Sequence, residues 1–305
     1  MAEVHSAPCD RNMSRDTSFY YSFLVLPPRK RQAIVAVWDF CRAVDDAVDE
    51  AVPENERAGE VSDGARGLAA ERLAGWRAEL TATYEGTPRT PQGIALQRYV
   101  HEFDLPRTRF EELIEGVQMD LRQARYDTFA ALAEYCRRVA SAVGLICLEI
   151  FGYRNQRARA YAENLGLALQ LTNIIRDVHT DIARGRIYLP TEDLRRFGVT
   201  EDDLRAGVVT SRMAELLRFE CDRARGYYRR AAEQLPPEDA RSLVAAEIMS
   251  GIYFEILRRI ERRGYDVFST HVRVPRPRRA VIALRLWIAA LLGMPAAGRR
   301  RHSAL

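Results

Sequence analysis

The sequence has little lysine, no paired cysteine motif and no long hydrophobic run. Lys30 is the only lysine among the 305 residues, so arginine supplies nearly all of the positive charge. The five cysteines are scattered and odd in number, and no two of them form a CxxC pair. This usage argues against a disulfide framework or a zinc site, and it fits a reducing cytoplasm.

Targeting and membrane-spanning patterns are missing as well. The N-terminal residues are polar and lack the apolar segment of a secretory signal. No stretch reaches the ~20 apolar residues of a transmembrane helix. The nearest, 280–294, is short and contains Arg285. The net charge of +4 is too small to indicate nucleic-acid binding, so no nucleic-acid partner is expected.

A regular alternation of apolar and polar residues is also absent, which argues against a β-rich fold. Apolar residues recur at helical spacing, and the chain is predicted to be all-α. Pro27 and Pro28 mark the start of the first long helix, Asp127 is expected to cap another, and Pro236-Pro237 separates two late ones. The helices are predicted at about 28–50, 63–85, 91–103, 107–124, 128–152, 156–185, 209–234, 238–264 and 278–294.

The composition and the positions of the helix-breaking residues favour one helical domain. Hydrophobic residues make up 47% of the chain and charged residues 29%, which is ordinary for a globular protein. We predict a flexible N-terminus over 1–14, a helical domain over 15–275, and a basic amphipathic C-terminal helix and tail over 276–305. Residues 53–65 are expected to form a polar loop, and 186–208 a loop with a short helical turn.

The C-terminal segment leaves two interpretations open. Its apolar residues are flanked on both sides by arginines, namely Arg276, Arg278, Arg279, Arg299, Arg300 and Arg301. Either the segment packs on the core as a terminal helix, or it lies on a membrane surface with its apolar side in the lipid.

A first acidic cluster lies near the end of the predicted helix 28–50. Asp45 and Asp49 are one turn apart on one face, and Arg42 is one turn earlier. Asp45 continues the apolar stripe formed by Ile34, Val37, Trp38 and Cys41. Like charges one turn apart repel and are costly to bury, and a divalent cation such as Mg²⁺ resolves both problems. The alternative is an acidic helix end that faces water.

A second polar stripe runs along the predicted helix 156–185. Gln170, Asn173, Asp177 and Asp181 fall within about 80° of the helical wheel. The rest of the wheel is mostly apolar, which indicates a buried helix. The stripe must therefore face a wet cavity, an ion or a polar ligand.

Two carboxylate pairs on separate buried helices can face each other across one cavity. Metal ions held between them would grip a diphosphate and make its departure feasible. The allylic cation that remains needs an apolar pocket lined partly by aromatic faces. Candidate residues are the aromatic segment 18–23, Tyr135, Arg186 and Tyr188. The alternative is ordinary packing for the aromatic residues and a surface position for Arg186.

Other chemistry finds less support. The histidines have no partners at metal-ligand spacing, His271 among them, and His179 lies on the far side of its helix from Asp177 and Asp181. The sequence contains no GxSxG, no GxGxxG after a strand and no Walker A motif.

Three segments together resemble the squalene and phytoene synthase family, the head-to-head prenyl synthases. They are SFYYSFLVLPPRKRQAIVAVWDFCRAVDDAVDE, EYCRRVASAVG and LALQLTNIIRDVHTDIARGRIYLP, within residues 18–194. The resemblance implies an isoprenoid synthase fold over 15–275, a single helical bundle around a central cavity.

The resemblance also implies roles for individual residues. Asp45, Asp49, Asp177 and Asp181 take the Mg²⁺-binding positions, with Asn173 beside them and Mn²⁺ as an alternative metal. Diphosphate is expected at Arg42, Arg176 and Arg186, and the prenyl chain at Ser18, Phe19, Phe23 and Gln170. Tyr135 and Tyr188 match tyrosines near the reacting carbons, and Tyr135 is expected to assist proton or cation handling.

Two departures from the family pattern stand out. Arg15 is found where some members have histidine, and Thr180 where an acid is common, so the second cluster has one carboxylate fewer. Neither departure removes the repeated DxxxD frame.

Within the family, YLPTEDLRRFGVTEDDL and the basic C-terminus look most like bacterial presqualene diphosphate synthases of hopanoid pathways. That similarity implies joining of two farnesyl diphosphates into a cyclopropyl diphosphate, with pyrophosphate released and no NADPH. Phytoene synthases, which use geranylgeranyl diphosphate, share much of this sequence pattern. Squalene or dehydrosqualene synthase is a further alternative.

Two other classes remain as competing hypotheses. One is a non-catalytic assembly or lipid-binding factor of the same fold, which would have no reason to keep four carboxylates on buried stripes. The other is a chain-elongating prenyltransferase or cyclase, which usually carries DDxxD motifs in different surroundings. The expected location is the cytoplasm, with peripheral contact at the inner membrane through 278–301.

Overall fold

The computed structural model describes residues 20–51 and 62–293. Within these ranges the secondary structure is helical apart from an isolated bridge between Arg125 and Ile187. The helices are Tyr20–Phe23 (α1), Pro28–Asp49 (α2), Asp63–Glu85 (α3), Pro91–Glu102 (α4), Arg107–Arg122 (α5), Phe129–Cys136 (α6), Ala142–Phe151 (α7), Arg157–Ala183 (α8), Thr191–Phe197 (α9), Glu201–Ala206 (α10), Ser211–Gln234 (α11), Val244–Arg262 (α12) and Arg276–Leu291 (α13). The all-α prediction is confirmed.

The structure differs from the predicted elements in four details. The predicted helix 128–152 is divided by a π-helical turn, Arg137–Ser141, and its N-cap is Thr128 rather than Asp127, because the Thr128 hydroxyl accepts the Ala131 N–H. The helix predicted from 238 begins at Val244, after a short 3-10 turn. The predicted loop 186–208 contains α9 and α10.

The long helix α8 occupies the centre of the bundle. It packs against α7, α11 and α12 and is buried through most of its apolar residues. Its Gly166 permits this, since a Cβ there would come within 2.7 Å of the Ser141 Cα in the π-helical turn. The helix α2, which carries the first acidic cluster, also packs against α7. The helix α7 therefore contacts both of the helices that carry acidic clusters, and it fixes their relative positions.

The last helix, α13, packs along α12. A Cβ on Gly251 of α12 would lie 2.9 Å from Leu286 Cδ1 and 3.0 Å from Ile282 Cγ2, so glycine allows this close approach. The buried Glu255 carboxylate of α12 accepts Arg262 and also pairs with Arg278 of α13. In the part of the chain that the structure describes, no helix is both long and apolar enough to cross a bilayer.

Candidate active site

The first acidic cluster lies at the C-terminal end of α2. Val37 and Cys41 of its stripe are buried, whereas Asp45 reaches solvent. Even so, burial by surrounding protein, followed by repulsion from Asp120 and Asp49, raises the pKa of Asp45 to about 7. Asp45 is exposed and Asp49 is half-buried, so the first cluster lies where solvent or a ligand can reach both carboxylates.

The second cluster lies near the C-terminal end of α8. Gln170, Asn173, Asp177 and Asp181 are all half-buried, while Leu171, Ile174, Ile175 and Val178 beside them are buried. The polar stripe on an otherwise buried helix is therefore present. Burial and repulsion from Asp177 raise the pKa of Asp181 to about 7, against the opposing effect of Arg186 and Arg184.

Arg186 joins the two clusters. Its Nη2 donates to Asp49 Oδ1 at 3.3 Å, and Arg184 lies 3.6 Å from the other oxygen of Asp49. The same guanidinium opposes the rise in the pKa values of Asp45 and Asp181, which belong to different clusters. Burial opposes the charge of Arg186, but Tyr188, Asp120 and Asp49 outweigh it and raise its pKa. The two clusters thus face one shared cation.

A third carboxylate, Asp120 of α5, completes this arrangement. Its Oδ2 accepts the Tyr135 hydroxyl at 3.0 Å and its Oδ1 accepts the Tyr188 hydroxyl at 2.9 Å. Burial raises the pKa of Asp120 to about 6, although Arg186 and the two hydroxyl groups favour its charged form. Asp120 was not predicted as a site residue from the sequence. It continues the buried stripe of Phe110, Ile114 and Val117, the same signal that marked Asp45 on its helix.

The three tyrosines near Asp120 form an aromatic wall. The rings of Tyr135 and Tyr188 stack with centroids 5.3 Å apart and planes at 21°. Tyr126 lies 5.5 Å from the first ring and 6.0 Å from the second. Burial, followed by the charge of Asp120, raises the pKa values of Tyr135 and Tyr188 well above their usual range, so both remain neutral phenols.

The second cluster also contains an unsatisfied oxygen. Asn173 Oδ1 is buried and has no hydrogen-bond partner among the described residues, while its amide nitrogen donates to Gln170 Oε1 at 3.4 Å. Buried polar atoms are almost always paired, so this oxygen is suited to a ligand. Amide and carboxylate oxygens are the donors that Mg²⁺ prefers. The donor set Asp45, Asp49, Asn173, Asp177 and Asp181 therefore fits that cation.

The protein groups alone do not enclose a metal. Across residues 20–51 and 62–293, no three His, Cys, Asp or Glu side chains converge as a preformed metal site. This is compatible with Mg²⁺, which usually takes one or two carboxylates together with water and substrate phosphates.

The remaining predicted residues differ in their positions. Arg176 donates to both oxygens of Asp177, at 2.8 and 2.5 Å, so it lies in the second cluster. Arg42 is exposed and pairs with Asp46 at 3.6 Å rather than with Asp45 or Asp49.

The aromatic segment before α2 is only partly described. Phe23 is buried where α1 packs against α12 and α13. Ser18 and Phe19 lie outside the described residues, as does Arg15.

His271 lies beside the second cluster, a contact that its position in the sequence did not indicate. Its Nδ1 lies 3.4 Å from Asp177 Oδ1, on the connection between α12 and α13. Burial and the neighbouring Arg176 lower its pKa, so the neutral imidazole is favoured. His179, in contrast, is exposed, with its ring 6.4 Å from that of Phe268. Linear spacing could not reveal a contact made by a distant connection.

Comparison with known proteins adds independent findings. Residues 13–280 match the family model for squalene/phytoene synthase. The chain is 37% identical over 287 residues to the 15-cis-phytoene synthase of Synechocystis sp., with 90% of this chain and 81% of that protein covered. It is 32% identical over 286 residues to the presqualene diphosphate synthase of Rhodopseudomonas palustris, with 92% and 98% covered. A crystal structure of a dehydrosqualene synthase in complex with ligand superposes with a TM-score of 0.75 at 29% identity, covering 88% of this chain and 90% of that one.

Proposed function

Because the chain belongs to the squalene/phytoene synthase family and is a head-to-head prenyltransferase, we propose that it joins two farnesyl diphosphates into presqualene diphosphate. The observation that carries the proposal is the convergence of both acidic clusters on Arg186. Such a site suits a diphosphate and its cations at one end and a hydrocarbon chain at the other.

The proposal assigns the diphosphate end to residues of both clusters. Asp45, Asp49, Asn173, Asp177 and Asp181 would hold Mg²⁺, which when bound supplies Lewis-acid stabilisation of the departing pyrophosphate. Arg176 and Arg186 present planar guanidinium groups that match phosphate geometry. A diphosphate competes with Asp177 for Arg176, so substrate binding would release that carboxylate.

The hydrocarbon end is assigned to the tyrosine wall. Neutral phenol rings offer negative faces that stabilise a cation without reacting with it. The ring centroids of Tyr135, Tyr188 and Tyr126 lie 5.3 to 6.0 Å apart, so together they would form one aromatic wall beside the cation. No NADPH is proposed for this step.

Two substrates fit this chemistry, and the relatives support each in a different way. The match to the Rhodopseudomonas palustris presqualene diphosphate synthase covers 98% of that protein, which favours the farnesyl substrate. The Synechocystis sp. phytoene synthase is more similar in sequence, at 37% against 32% identity, which favours condensation of two geranylgeranyl diphosphates as the second candidate.

Product analysis tests the proposal. Purified protein with Mg²⁺ and either farnesyl or geranylgeranyl diphosphate should release pyrophosphate, and mass spectrometry should identify presqualene diphosphate from the shorter substrate, with or without NADPH. Phytoene from the longer substrate alone would establish the second candidate. Absence of pyrophosphate release with both would contradict the enzyme assignment and favour a non-catalytic role.

We also propose that α13 holds the protein against the inner membrane. Six large apolar side chains on this helix and just beyond it are exposed, namely Val281, Leu284, Trp287, Ile288, Leu291 and Leu292. The helix contains no acidic residue, and its exposed Arg276, Arg278 and Arg285 suit anionic lipid. An apolar face with basic neighbours is typical of helices that lie in a membrane surface.

Vesicle co-sedimentation tests this location. The double variant Leu284→Gln/Leu291→Gln should lose binding to phosphatidylglycerol vesicles, whereas the control Ile94→Gln, an equally exposed apolar residue of α4, should keep it. Equal binding by both variants, or none by the wild type, would contradict the proposal. A dimer dissociated by the double variant would instead assign the face to a second copy.

A further inference from the structure

Asp120 has an arrangement that ordinary core packing does not require. Its two carboxylate oxygens accept one hydroxyl each, from Tyr188 at 2.9 Å and from Tyr135 at 3.0 Å, and the two hydroxyl oxygens are 3.4 Å apart. Placing a carboxylate in such surroundings is unfavourable unless its charge is compensated. Here the compensation comes from Arg186, the same guanidinium that faces both acidic clusters.

The hydrogen bonds fix the direction of both hydroxyl groups. An ionised carboxylate can only accept, so each phenol must donate its single proton to Asp120. Whatever approaches the phenol oxygens from another side then meets lone pairs and not protons. The two stacked rings are held by the same carboxylate, so the direction of one hydroxyl is linked to that of the other.

We propose that Asp120 is a positioning residue. Its carboxylate holds the hydroxyl protons of Tyr135 and Tyr188 in hydrogen bonds, so that both phenol oxygens present lone pairs to the reacting carbons. The inference rests on the proposed function and deepens it. With this orientation the tyrosines stabilise positive charge on carbon. They cannot donate to the departing diphosphate without first breaking a bond to Asp120, so protonation of that leaving group is assigned elsewhere.

The variant Asp120→Asn tests the orientation directly. Asparagine keeps the size of the side chain but offers one acceptor oxygen and an NH₂ donor, so one of the two hydroxyl groups must turn. We expect kcat to fall about 10- to 100-fold, in line with misorientation of reacting groups, while KM stays within about threefold. An unchanged kcat, or a change confined to KM, would overturn the proposal.

A matched control exists near the N-terminal end of α8, away from the second cluster. Tyr161 donates to Glu247 at 2.7 Å, which is the same kind of bond two and a half turns before Gln170. Glu247→Gln should leave kcat within about twofold, because this bond lies outside the site. If Glu247→Gln lowers kcat as much as Asp120→Asn does, the effect is general loss of packing and the proposal fails.

A second set of variants keeps the proposal testable if Asp120→Asn is unstable. Tyr135→Phe and Tyr188→Phe each remove one oriented oxygen and should lower kcat with little change in KM; wild-type kcat in both would overturn the proposal. In the double phenylalanine background, Asp120→Asn should add less than about twofold, because its effect passes through the hydroxyl groups. A wild-type protein without activity would count against the proposed function, whereas an active wild type with an additive Asp120→Asn effect would reject this inference alone.

Discussion

The two acidic clusters both lie at the C-terminal end of a helix, yet they obtain their counter-charge in different ways. Asp177 is paired within its own helix, because Arg176 donates to both of its oxygens at 2.8 and 2.5 Å. Asp49 depends on Arg184 and Arg186, which follow the end of α8 and lie 3.6 and 3.3 Å away.

The first cluster therefore depends for its counter-charge on the two arginines that follow α8. The C-terminal end of a helix carries partial negative charge, and neither α2 nor α8 has a basic residue in its last turn. Two such ends with four carboxylates repel one another unless cations lie between them. The clusters therefore act as one anionic unit, and Arg186 is its internal cation.

The largest expected effect comes from the second cluster, in which Asp177 is paired within its own helix. Asp177→Ala should lower pyrophosphate release by about 10³-fold or more, because it removes a carboxylate from the position where leaving-group charge is stabilised. Far-UV circular dichroism should show unchanged helicity. The control Asp202→Ala removes an exposed carboxylate that pairs with its helical neighbour Arg205, and it should be fully active. Retained turnover in Asp177→Ala would contradict the metal-binding role.

The first cluster can be disrupted by replacing Arg186, which lies outside its own helix. Arg186→Gln leaves Asp49, Asp120 and Asp181 facing one another without their shared cation, and kcat/KM should fall about 10²-fold. Arg184→Gln is the matched control, since its side chain is 50% exposed and 3.6 Å from Asp49, and it should lose less than about tenfold. Equal losses from the two variants would remove the distinction between the arginines.

The smallest expected effect concerns stability against pH. The pKa of Asp181 is raised to about 7, so between pH 4 and 7 the folded protein binds a proton that the unfolded chain releases. Stability from this group is therefore present at low pH and lost as pH rises through about 7. Asp181→Asn should melt about 2–4 °C above the wild type at pH 8, and the difference should shrink towards pH 4. A variant less stable than the wild type at pH 8 would mean that Asp181 is favourably paired.

Much of the site could be predicted because its signals are local. The offsets between Asn173, Asp177 and Asp181 place them on one stripe of any helix, and their apolar neighbours show that the helix is buried. The missed residues are bound to partners that are distant in the sequence, although Asp120 also continues an apolar stripe, as Asp45 does on α2. Asp120 is bonded to residues 15 and 68 positions away, and His271 reaches Asp177 from a connection that no helical period describes.

The sequence by itself determined which side chains share a face of each helix, because the helical period depends only on neighbouring residues. It thereby set the polar stripe of α8 and the acidic end of α2. Only the tertiary structure decided which faces meet, including the contact of Arg186 with Asp49 across 137 positions and the tyrosine pair on Asp120. Such contacts depend on how α5, α7 and α8 pack together, and that packing is a property of the whole core and of no single segment.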